Sequence, residues 1–400
     1  MTAQRFRRTR VGRFATLQRL AFAVALTGAL IVTANAQTQR PAPQATPRGE
    51  ETALLAQGWA ALAAGDPVRA AETADSVLLK IPGSAAAVAL RVEAEIVRGG
   101  SLAGLAAYES WLADRGLDDG YLLRRIARAS LWELVARTES SSDALQELAA
   151  DGDAEARAEL ARRMMAKGFV ETRALARIGD EGAIKRLISQ VQTGEGSKMY
   201  QIDALVQSKS PLAIGPLMKL LNDTNYPDHV AAAADGLGIL NATQAIPELQ
   251  KIYQEYANSP VQSVRAAAAF GLFRLGDMTG INLLQQKLAS DTPYIALDTA
   301  RRMASRPDAA WHEAVRGGLS NPDPAVRIIA AELIAPYDVE TARHSLETLL
   351  SDSNPAIRAL AGKIMASRVA TDFRMLRRFF RSEEWQIRLA AAGRVLELSR

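Results

Sequence analysis

From Glu51 almost to the end of the chain, alanine and leucine recur at three- and four-residue spacing, and no stretch alternates with a period of two. That pattern predicts amphipathic helices throughout and an all-α fold. The helices repeat. One column of positions reads Val230-Ala231, Val264-Arg265, Ile295-Ala296, Val326-Arg327, Ile357-Arg358 and Ile387-Arg388, with successive members 30 to 34 residues apart. A few residues further on, a second column reads Ala234, Ala268, Thr299, Ala330, Ala361 and Ala391, small side chains that let neighbouring helices approach closely.

A second register comes from the preceding helices, which begin near Ala183-Ile184, Ala213-Ile214, Ala245-Ile246, Gly280-Ile281, Ala310-Trp311, Ala342-Arg343 and Phe373-Arg374. Between paired helices lie loops such as Ser320 to Pro324 and Ser351 to Pro355, where a capping side chain precedes a proline suited to the first helical turn. Between pairs lie Gly179-Asp180 and Gly276-Asp277, with glycine where a helix must stop. Each pair is too small to bury its own apolar stripe, so stacking has to make it fold. The expected product is an α-solenoid, a right-handed superhelix of antiparallel helix pairs forming a curved rod over 143–400, with about seven repeats from Gly179.

Leucine, a short Asp/Asn/Pro loop, Val/Ile-Arg and then alanines resemble HEAT repeats of the short bacterial kind. An earlier, degenerate unit is expected from Ala144 to Lys167, with Ala156-Arg157 in the Val-Arg position. In that family a loop aspartate and a helix arginine commonly form a ladder between units. The resemblance assigns this role to Arg265, Asp323, Arg327, Asp352, Arg358 and Arg388. Upstream, 51–142 has another register and is similar to a pair of tetratricopeptide-like hairpins, with Gly58, Ala70 and Pro82 at that family's small-residue and terminal-proline positions. Residues 117–143 are expected to join the two arrays.

Composition changes this picture at the N-terminus. The first 36 residues carry six arginines and no acid, then an apolar run from Leu20 to Val32, then Ala34-Asn35-Ala36. This is the order of a secretory leader, and the run is shorter than the roughly 20 residues that span a bilayer. The chain is therefore expected to be exported, periplasmic or secreted, meeting the membrane only during export. A polar, proline-containing linker over 37–50 should follow. The whole chain has 48 basic and 44 acidic side chains, so losing six arginines leaves a small acidic excess, which argues against nucleic acid as a partner. There is no cysteine, which removes disulfides, thiolate ligands and a thiol nucleophile.

The usual catalytic signatures are missing: no His-Glu-x-x-His, no Gly-x-Ser-x-Gly, no phosphate-cradling loop. HEAT-like di-iron hydroxylases rely on several His-Glu dipeptides spread over repeats, and this chain has one, His312-Glu313. The sequence therefore points to a non-enzymatic scaffold or adaptor that binds a protein partner along the repeats and needs no cofactor. The rivals are an envelope enzyme or metal-dependent protein with a site assembled across repeats, and a self-assembling structural component. His312 and His344 share one register position in adjacent repeats, with Glu313 and Glu347 nearby, and are the candidate metal pair. Phe379 and Phe380 are adjacent, so one of them is expected on an exposed end face, where a homodimer could form through the C-terminal repeat.

If the leader is cut as read, N-terminal sequencing of the protein recovered from its native cell should begin at Gln37. A start at Met1 would remove the export reading.

Overall fold

The computed structural model describes residues 47–400 apart from 114–116, 167, 195, 224 and 305–309. The expected leader, its cleavage site and the linker as far as residue 46 lie outside the described residues. Helix α1 begins at Pro47, inside the segment expected to be linker. Among the described residues every regular element is helical, and no helix is long and apolar enough to cross a membrane.

The chain forms two compact units, divided between Ala129 and Ser130, upstream of the expected boundary at 142/143. Unit 1 holds α1 (Pro47–Ala63), α2 (Pro67–Lys80), α3 (Ala85–Gly99) and α4 (Ser101–Leu112). Asp66 and Ser84 set the starts of α2 and α3 by accepting the backbone N–H of Arg69 and Ala87. Leu55, Ala70, Ala74, Val77 and Leu90 form a shared core. Gly58 is needed where α1 crosses it, because a Cβ there would lie 2.3 Å from the Leu90 side chain. The chain passes from unit 1 to unit 2 within α5 (Gly120–Val135), so residues 117–143 are largely helical.

Unit 2 continues with α6 (Ser141–Ala150), α7 (Ala154–Met165), α8 (Phe169–Arg177), α9 (Glu181–Thr193), α10 (Lys198–Gln207), α11 (Ile214–Leu220) and α12 (Pro227–Ile239). Then come α13 (Ile246–Glu255), α14 (Gln262–Arg274), α15 (Ile281–Leu288), α16 (Pro293–Met303), α17 (Ala310–Leu319) and α18 (Pro324–Ile334). Last are α19 (Val339–Leu349), α20 (Pro355–Ile364), α21 (Phe373–Phe379) and α22 (Trp385–Leu398). Each odd-numbered helix from α9 opens one of the seven expected hairpins. The pair α7/α8 adds a unit before them. Ala156 sits on the first helix of that unit, so the Val-Arg position is filled by Thr172-Arg173 on α8 and not by Ala156-Arg157.

The even-numbered helices from α6 pack on one another in order and form a continuous layer. The small-residue column explains why they can. Ala234, Ala268, Ala330, Ala361 and Ala391 have no exposed surface, and Thr299 is 1% exposed. At the closest crossing, α12 on α14, a Cβ on Gly238 would lie 2.6 Å from the Gly271 Cα, and one on Gly271 would lie 2.6 Å from the Ala234 carbonyl oxygen. Only glycine permits that backbone contact. Apolar side chains from both layers, including Phe273, Trp311, Leu346 and Ile364, fill the space between them.

The layer closes, where the sequence suggests an open rod. Helix α22 packs against α6, and the Arg400 guanidinium donates to the Ala150 carbonyl at 2.9 Å and lies 3.8 Å from Asp151. At this seam a Cβ on Gly393 would stand 2.8 Å from the Glu147 carboxylate. Burial, then Asp143 and Glu397, push the Glu147 carboxyl above its usual range, against the pull of Arg400 and Arg177. The expected exposed end face is accordingly covered: Phe380 is 1% exposed and Phe379 packs partly buried against the core.

Two predictions follow from this packing. Ala330 faces Gly318, whose added Cβ would lie 2.9 Å from its own, so Ala330→Glu should destabilise the protein by about 4 kcal/mol or more by burying a charge without a partner. A denaturant midpoint equal to the parent's would refute the register. At the seam, a raised carboxyl pKa means that the folded state holds its proton longer than the unfolded chain does. Stability therefore falls as pH climbs from the ordinary glutamate range through the raised value. The melting temperature of Glu147→Gln relative to the parent should rise between about pH 4 and about pH 8; parallel curves would show that burial does not shift this group.

Candidate functional site

Of the residues assigned to the HEAT ladder, Arg265, Arg327 and Arg358 hold their own loops together, while Asp323 also reaches the preceding unit through Tyr294. The Arg327 guanidinium reaches back from α18 and donates to the carbonyls of Asn321 and Pro322 at 2.8 and 2.9 Å. Arg358 does the same to Asp352 and Ser353 at 2.6 and 2.9 Å, and Arg265 points to the Ala257 carbonyl and covers the Tyr253 ring. The cause is local: carbonyls just past a helix end lack intrahelical donors and carry partial negative charge. The aspartates cap instead. Asp323 accepts the Ala325 N–H and the Tyr294 hydroxyl, and Asp352 accepts the Asn354 N–H. Tyr294, the Ala325 and Val326 N–H groups and then Arg327 hold the Asp323 carboxyl below its usual range. Arg388 lies beside Arg137 and Glu133, its pKa lowered first by burial.

A ladder between units does exist, at the other ends of the even helices. Arg177 donates to Gln207 at 2.6 Å and Arg301 to Glu332 at 3.3 Å, each pair one repeat apart. Asp235 takes both Arg274 and Arg302, and Arg302 also pairs with Asp298. Complementary side chains 30 and 31 residues apart mark the first two pairs in the sequence, whereas Asp235 lies 39 residues from Arg274 and leaves no such mark.

The two histidines proposed as a metal pair have different surroundings. The His312 ring lies against Trp311 and 5.7 Å from Tyr337, whose hydroxyl is fixed on the Ala304 carbonyl. His344 is exposed and lines a groove of about 650 Å³ between the end of α17 and α19, together with Arg327, Glu340, Arg343, Ser345 and Glu347. Among the described residues no three His, Asp or Glu side chains gather to hold a metal ion.

That groove is lined by more ionisable side chains than its neighbour. A neighbouring groove of about 570 Å³ has Glu313 as its one titratable lining group. In the His344 groove, Arg343 pairs with Glu340 and lies 3.5 Å from Glu347, and Glu340 first, then Glu347, hold the guanidinium firmly charged. The Arg343 Nε and the Ser345 Oγ are buried there without a hydrogen-bond partner, which is costly unless something else bonds to them.

No protein-family profile matches the chain. It is 26% identical over 132 residues to deoxyhypusine hydroxylase of Schizosaccharomyces pombe (strain 972 / ATCC 24843), a match covering 32% of this chain and 41% of the relative. The chain thus spans less than half the length of the curated relative it matches. The structure of human deoxyhypusine hydroxylase in complex with glycerol is 19% identical, with a TM-score of 0.29, covering 57% of this chain and 90% of that one. The expectation of a non-catalytic scaffold, and with it the answer that this is no enzyme, is corrected by the first of these: the curated relative is an enzyme. That expectation rested on missing local motifs and a single His-Glu dipeptide, and a site assembled from residues scattered over repeats leaves no local motif. The iron-binding set associated with HEAT-fold hydroxylases nevertheless does not fit here, since His-Glu occurs once, at His312-Glu313, and His312 is packed among aromatic rings.

Proposed function

We propose that the chain is a HEAT-repeat enzyme whose reaction runs in the groove between α17 and α19, by proton transfer through His344 on a polar substrate. The observation that carries the reading is that two residues lining that groove, Arg343 and Ser345, each carry a buried atom without a hydrogen-bond partner, Nε and Oγ. The similarity to deoxyhypusine hydroxylase supports a catalytic role. Arg343, already neutralised by Glu340 and Glu347, offers its remaining N–H to an acceptor oxygen of the substrate. The Ser345 hydroxyl can either donate or accept. Imidazole is the side chain best suited to moving a proton near neutral pH. No step passes through iron, because the residues present do not form its ligand set. For unit 1 we keep the tetratricopeptide-like reading, supported by Gly58 closing on Leu90 and by the fully buried Ala70.

The test is an incubation of the protein with a pool of peptides and amino acids, deoxyhypusine included, read by mass spectrometry for any covalent change. A product should form that a metal chelator leaves intact and that His344→Gln slows by about 100-fold. Absence of any product, or a product lost to the chelator and indifferent to the variant, would overturn the proposal.

A further inference from the structure

The loops that join each odd helix to the following even helix lie together along one edge of unit 2, and contacts between adjacent repeats show this directly. The rings of Phe169 and Tyr200 lie 6.4 Å apart, Lys198 reaches Tyr226, and Tyr294 reaches Asp323. This edge exposes aromatic side chains at the starts of α10, α12 and α16, with the start of α14 between the last two carrying none: Tyr200 is 66% exposed, Tyr226 56% and Tyr294 47%. Large exposed rings grouped along one edge are what a binding surface displays.

The charge between the rings selects the partner. Asp228 and Asp291 are exposed, and Asp223 and Asp323 stand beside Tyr226 and Tyr294. The cations that could offset them are largely engaged. The guanidinium of Arg327 is turned onto loop carbonyls, and the imidazole of His229 lies 3.4 Å from Asp223 and is stacked on Tyr226. Lys198 shows the mode of recognition in miniature, with its ammonium 5.9 Å from the Tyr226 ring and 3.6 Å from an Asp223 oxygen. A tyrosine face beside a carboxylate is a good environment for an ammonium group.

We propose that this edge, at the starts of α10, α12 and α16, is a docking surface for a lysine-rich polypeptide segment. Tyr200, Tyr226 and Tyr294 supply ring faces, and Asp228, Asp291 and Asp323 supply the counter-charge. The surface stands independently of the chemistry assigned to the His344 groove, and it determines which substrates or partners the protein holds rather than what is done to them.

Binding of a fluorescent deca-lysine peptide to the full chain, followed by anisotropy, tests the proposal, with deca-glutamate and a chitin oligosaccharide as competing classes. Deca-lysine should bind and weaken as salt rises. The combined Tyr226→Ala and Tyr294→Ala variant should lose about tenfold in affinity. Because both rings are exposed, its melting temperature should match the parent's, and the Tyr226→Phe and Tyr294→Phe counterparts, which keep the ring faces, should bind within about threefold of it. His344→Gln should bind as the parent does, which separates this surface from the groove. No binding of deca-lysine, equal binding by the double alanine variant, or preference for deca-glutamate or the oligosaccharide would each overturn the proposal.

Discussion

Everything in unit 2 depends on how closely its even-numbered helices can approach one another. Helices usually pack about 8–10 Å apart, and the separation is set by the side chains at the crossing. Here those side chains are nearly eliminated. Gly238 meets the Gly271 backbone, and about one turn earlier alanine or threonine fills the small-residue column of each even helix from α12. With the inner layer drawn tight, the outer helices splay around it, and the grooves between successive outer helices open as a consequence. The His344 groove is one of these, so the candidate chemistry is a product of the same spacing that makes the array fold.

The tightness also orders the charges. The inner helices bring Arg274, Asp235 and Arg302 into one network and place Arg301 beside Glu332. These groups are partly solvated, so each pair contributes little by itself. Their effect is to hold register, since sliding one repeat past the next would set like charges together. At the opposite end of the layer, Arg265, Arg327 and Arg358 turn onto loop carbonyls and fix the loops before α14, α18 and α20, while the exposed tyrosines stand at the starts of α10, α12 and α16.

The hairpins from Gly179 onward, their order and their buried column were legible in the sequence, because periodic burial leaves a periodic composition. What the arginines do was not. Arg327 and Arg358 occupy the family's ladder position, yet a chain cannot reveal whether a guanidinium turns to an aspartate or to a loop carbonyl. The seam was also hidden, since α6 and α22 are some 250 residues apart and nothing in their local pattern marks them as neighbours. The candidate site was partly visible: His344 and Glu347 stood out, but Arg343 and Ser345 looked like ordinary surface positions until their buried atoms proved to be unbonded.

The seam changes how such an array can fail. An open stack has two ends at which a repeat is held by a single neighbour, and fraying starts there at the cost of one interface. Joining α22 to α6 leaves no such repeat, and detaching any one hairpin means breaking contacts on both of its sides. The array becomes a loop of mutual restraints in which loss at one point is opposed from two directions. Its weakest link is then set by the quality of individual contacts and no longer by position along the chain, which makes the polar junction of α22 with α6, around Glu147 and Arg400, the place where the unit would first come apart.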